Sequence, residues 1–273
     1  MSDDMPRVST VGNRWSDMTY GQLVRAEKLG HQLAVSTAAD SQPDSRLADD
    51  AEAIRPLAIA QYVKKRGENA ALLARVIHRL VLEREEGKMH FEFPALYPLI
   101  RAVYEDCATL TWLLAPPEKE LRLLRFTRLL WADQRFYVAN HVLLATALTG
   151  DPRLPEKQAA ALTSHMESEK VAVDEHFTGI AARASIPDGE WKKAVTIRET
   201  FDGAFGDSSL THVLWRFLSD LSHYSFVMSS HLDNSVIEDG PTVQALLLQF
   251  LGQMNQMMEH LITEVANAKA ASA

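Results

Sequence analysis

Between Leu73 and Val81 the apolar residues fall at Leu73, Val76, Ile77, Leu80 and Val81, the i, i+3, i+4, i+7, i+8 spacing of one helical face. The spacing recurs at Leu96, Leu99, Ile100, Val103, Tyr104, Cys107, Leu110 and Leu114. It returns in a Met-rich stripe running from Leu246 through Met254, Met257 and Met258 to Val265. No segment combines alternation with the β-branched enrichment of a strand. Stripes of this kind must be buried against other helices, so the expected fold class is all-α, a multi-helix bundle of about eight to ten helices. Twelve glycines in 273 residues are few for a turn-rich β fold, which points the same way.

Punctuation divides the stripes. A helix is expected from Ser16 or Thr19 through Leu33, a turn over 39–46, and a helical stretch carrying Pro56. A break is expected at Gly67 and Asn69, followed by a helix over 70–86 and a connection at 87–94 that carries His90. Further helices are expected over 94–114, 118–148 and 155–183, the second ended by Gly150-Asp151-Pro152. A shorter helix runs to Phe201, and Asp207 or Ser208 then caps the helix bearing Arg216 and His223. After a polar break over 233–241, a final helix starts at Pro241. The break near Gly67 suggests a helical extension over 1–66 and a bundle over 67–273.

The net charge of −8 gives no general attraction to nucleic acid, so RNA binding would need a local basic patch. The one cysteine, Cys107, permits no internal disulfide and reads as a packing residue in an apolar stretch. The first ten residues lack the build of a signal peptide, and no apolar run reaches transmembrane length. A cytoplasmic protein without a membrane partner is expected.

Three groups of side chains carry candidate chemistry. Arg216, Ser219, Asp220 and His223 share one side of a helix at i, i+3, i+4, i+7. An Arg holds phosphate through a planar fork of donors, and a His passes protons near neutral pH. The alternative is an ordinary Arg216–Asp220 ion pair beside the core. In the second group, Arg101 and Glu105 are i,i+4, and Arg122, Arg125 and Arg128 follow at intervals of three. These four arginines form a candidate anion site, or else a solvated face neutralised by nearby acids. In the third, His165, Glu169 and His176 fall on one stripe, but without the Glu-x-x-His or His-Glu-x-x-His spacing of helical metal sites. Neither a metal nor another cofactor is expected.

The run RAVYEDCATLTWLLAPPEKELRLLRFTRLLWADQRF and the later WRFLSDLSHYS resemble segments of uncharacterised bacterial helical proteins with an Arg-x-x-x-Glu, a Trp-Leu-Leu-x-Pro helix end and spaced arginines. The helical layout is similar to that of the HEPN superfamily, whose nuclease members carry Arg, then about four to six residues, then His. Arg216 and His223 match that spacing over roughly residues 70–265. The resemblance implies metal-independent RNA cleavage across a homodimer, with His223 as acid/base and Arg216 as phosphate binder. Phe217 departs from it, standing where active members carry a polar residue. The expected function is a HEPN-like ribonuclease or toxin-type protein. The alternative is a non-catalytic helical module that binds a protein or an anionic ligand.

Overall fold

The computed structural model describes residues 14–81, 93–148, 155–223 and 240–271. Among them the chain is all-α, with nine α-helices and one short 3-10 turn. The helices are α1 (Arg14–Ala38), α2 (Arg46–Ala53), α3 (Ile59–Val81), α4 (Phe93–Leu114), α5 (Lys119–Leu148), α6 (Glu156–Arg183), α7 (Ile197–Phe205), α8 (Leu210–Ser222) and α9 (Gly240–Lys269). No helix among the described residues is long and apolar enough to cross a membrane. The expected chain stop at 150–152, most of the connection at 87–94 and most of the break at 233–241 lie outside the described residues.

The chain forms two compact units, each assembled from separate segments. One comprises residues 1–41, 61–115 and 197–270, and the other 42–60, 116–196 and 271–273. The boundary expected near residue 66 therefore falls inside α3, and α1 belongs to the same unit as α9.

The first unit is built around α4, whose residues from Val103 to Leu114 are buried on nearly every side, as in a helix enclosed by others. α7, α8 and α9 pack on it. The Met-rich stripe of α9 is core: Met254, Met257 and Met258 are buried together with Phe250 and Leu261. α1 lies along α9. Arg25 grips both Glu259 carboxylate oxygens through the Nε–Nη2 edge of its guanidinium, and Asn255 donates to the Gln22 carbonyl at 2.9 Å. Lys269 donates to the carbonyls of Ser36, Thr37 and Ala39, satisfying acceptors that the C-terminal end of α1 leaves open.

α3 does not break at Gly67 or Asn69. A Cβ on Gly67 would lie 2.3 Å from Thr37 Cγ2, so the missing side chain lets α3 pass close against α1. Asn69 Nδ2 donates to Asp106 Oδ2 at 2.7 Å, beside an Arg66–Asp106 pair at 3.0 Å. Two residues that read locally as breakers serve tertiary contacts instead.

In the second unit α5 packs on α6 and on the 3-10 turn at Glu190–Lys192. Its core includes Phe126, Phe177, Ile180 and Trp191. Trp131 meets Trp191 edge-on at 5.9 Å, and its indole donates to Asp174 at 2.9 Å.

Candidate functional site

The first unit brings together parts of two sequence motifs at the end of α8. Ser209 caps that helix, its hydroxyl accepting from the His212 amide at 3.2 Å. The expected caps lie one and two residues too early, and Ser208 instead donates to Asp207. Leu214, Leu218 and Leu221 are buried, which turns Arg216, Phe217 and Asp220 outward and leaves Trp215 and Ser219 half-buried. His223 is the exposed C-cap residue, with its amide bonded to the Ser219 carbonyl at 3.1 Å.

One helical turn apart on α4, Arg101 and Glu105 are, with Asp106, the charged residues of a largely apolar helix. Arg101 Nε donates to Glu105 Oε1 at 2.7 Å, and each side chain is 22% exposed. Trp215 Nε1 donates to the same oxygen at 3.1 Å, and Arg101 Nη1 lies 2.9 Å from His223 Nε2. A guanidinium has donors only, so Nε2 is the acceptor and the imidazole proton sits on Nδ1. Two separate sequence groups, Arg101–Glu105 and the α8 His, are thus one hydrogen-bonded chain.

Beside it is a depression of about 240 Å³ lined by Arg198, His212, Trp215, Arg216, Ser219 and Asp220. The Trp215 indole stacks on Phe201 at 4.8 Å and 21°, which fixes the wall. Behind that wall His212 Nδ1 and Asp202 Oδ1 are 2.6 Å apart but not aligned as a hydrogen bond, and Arg198 Nε lies 3.4 Å from Asp202. The depression offers cations, an acid, a hydroxyl and a flat indole, a mixture suited to a polar, partly anionic ligand.

Several expectations are relocated. Arg216 and Asp220 form no ion pair among the described residues, so the ordinary i,i+4 reading of that pair does not hold. Both line the depression instead. The expected strip of Arg122, Arg125 and Arg128 is not one surface. Residues three apart rotate by about 60° per step around a helix, and here that turns Arg122 inward. Arg122 is buried against Asp50 in a two-bond pair of 2.7 and 3.0 Å, and Nη1 donates to the carbonyls of Pro116 and Pro117. Arg122 is therefore a structural clamp within the second unit and presents no open face to an anion. Arg128 donates to the carbonyls of Lys193 and Ala194, and Arg125 is half-buried. His165, Glu169 and His176 are exposed on α6, and no three potential ligands converge among the described residues.

Trp215, Arg198, Asp202 and His212 escaped the sequence reading. The one available signal was Trp215: a half-buried indole N–H requires an acceptor, and Glu105 is an acid in an apolar helix. On the next residue of α4, burial raises the Asp106 carboxyl above its usual range although Arg66 and Asn69 bond to it, and burial also pushes the Cys107 thiol up.

Comparison with family models, curated proteins and solved structures finds no match.

Proposed function

We propose that this chain is a HEPN-like, metal-independent endoribonuclease acting at the face formed by Arg101, Arg216 and His223. The observation that carries the reading is the 2.9 Å contact between the Arg101 guanidinium and the exposed His223 imidazole. It supports a site that joins phosphate recognition to proton transfer. The imidazole takes the 2′-hydroxyl proton as O2′ bonds to phosphorus. The P–O5′ bond breaks, and O5′ takes up a proton from water. The products are a 2′,3′-cyclic phosphate and a 5′-hydroxyl end. The arginines hold the non-bridging oxygens, where negative charge builds up. Leu210, Val213 and Phe217 form an exposed i, i+3, i+7 stripe on α8, the kind of face on which a second copy docks across a two-fold axis.

Incubation with mixed RNA in the presence of chelator tests the reading. The parent should cleave, and His223→Ala should lose about 100-fold or more of the rate with its helical content intact. No cleavage of any RNA by the parent, or cleavage that persists in His223→Ala, would overturn it.

A second reading has its own observation. Phe217, 42% exposed in the α8 stripe, suits a non-catalytic module whose partner is another protein. Under that reading Phe217→Ser abolishes partner binding while RNA remains intact with every variant.

A further inference from the structure

The bond directions in the Glu105–Arg101–His223 chain determine what the imidazole can do. Oε1 of Glu105 accepts from both Arg101 Nε and Trp215 Nε1, which pins one edge of the guanidinium and aims Nη1 at His223 Nε2. The lone pair of Nε2 is occupied there, and Nδ1, carrying the proton, has no partner among the described residues. In this state His223 can donate a hydrogen bond through Nδ1–H but has no free lone pair with which to take a proton.

We propose that Arg101, aimed by Glu105, is a positioning residue that holds His223 in the Nδ1–H tautomer until an oxyanion takes over the Arg101 Nη1–H and frees the ring. Phosphate oxygens compete well for that donor, because guanidinium–phosphate bonds are charge-assisted on both sides whereas the imidazole acceptor is neutral. Released, the ring takes the Nε2–H form that an unconstrained imidazole favours, with its lone pair on Nδ1. The base is then available only when a phosphate group occupies the site. The assignment of a base role rests on the ribonuclease reading, whereas the tautomer and its release by phosphate do not.

The test is nitrogen NMR of the full chain labelled at histidine, at a pH where the rings are neutral, with His223→Gln to assign the resonances. The parent should show His223 as Nδ1–H with an acceptor-type Nε2, and inorganic phosphate should convert it progressively to Nε2–H. Arg101→Met, which keeps the packing volume, should show Nε2–H with and without phosphate. Glu105→Gln, which keeps an acceptor but removes the charge, should show a mixture of both forms before phosphate is added. A parent ring already Nε2–H, a ring that saturating phosphate does not move, or an Nδ1–H ring retained in Arg101→Met would overturn the proposal. The expected ring behaviour in a chain that cleaves no RNA removes the ribonuclease reading and leaves this inference standing. Cleavage by a chain whose resting ring is Nε2–H does the reverse.

Discussion

Asp50 and Arg122 are 1% and 4% exposed, so neither charge has water to fall back on once its partner is gone. Arg122→Met should therefore cost about 3–5 kcal/mol in denaturant unfolding, because it strands a buried carboxylate. Asp50→Leu with Arg122→Met should recover most of that loss, since the pair leaves together. A single variant as stable as the parent would remove Arg122 from its clamp role. Asp106 couples the stability of the first unit to pH. Burial raises its carboxyl above 3.8, so the folded chain binds the proton more tightly than the unfolded one. The stability this contributes is present below the unfolded value and is lost as pH rises through the folded value. Asp106→Asn cannot titrate, so its stability relative to the parent should rise across that window. Parallel stability curves for the two chains would count against the shift.

The helices were legible because their period is local: the stripes at 73–81, 96–114 and 246–265 each predict the element that forms. What was not legible depends on residues far apart in sequence. Gly67 reads as a break until Thr37 is placed against it. Arg122 reads as a surface cation until Asp50, 72 positions away, is brought to it, and Arg101 meets His223 across 122 positions. Arg101, Glu105, Arg216 and His223 could each be picked out by residue type, but their wiring could not. Of the helical glycines, Gly67 and Gly252 separate local from tertiary effects. Gly252→Ala has nothing within 4 Å of its new Cβ and should gain up to about 1 kcal/mol from helix propensity. Gly67→Ala gains the same propensity but drives its Cβ into Thr37, a net loss of about 1–3 kcal/mol. Thr37→Ala in the same chain should return part of that loss. Thermal unfolding reads both signs, and a stabilising Gly67→Ala would mean that α3 moves away from α1 freely.

On the scale of the whole molecule, the sealed Cys107 thiol in α4 should react with thiol reagents only when its unit opens. When reclosing outpaces modification, each loss of about 1.4 kcal/mol should speed labelling about tenfold, so Gly67→Ala accelerates it and Gly252→Ala slows it. Labelling at the rate of a free thiol would contradict the burial. The pairing of α1 with α9 also governs how this chain is made. Some 233 positions separate Ser36 from Lys269, the residue that closes the end of α1. At about 5–20 residues per second, a ribosome delivers that lysine roughly 10–50 s after the serine. Throughout that interval the side of α1 that meets α9 lacks its final cover, although α3, which approaches α1 at Gly30 and Gly67, is made early in it. One apolar side of α1 is therefore completed only after α9 has been made, tens of seconds after α1 itself. Slowing translation between the two helices should prolong that exposure.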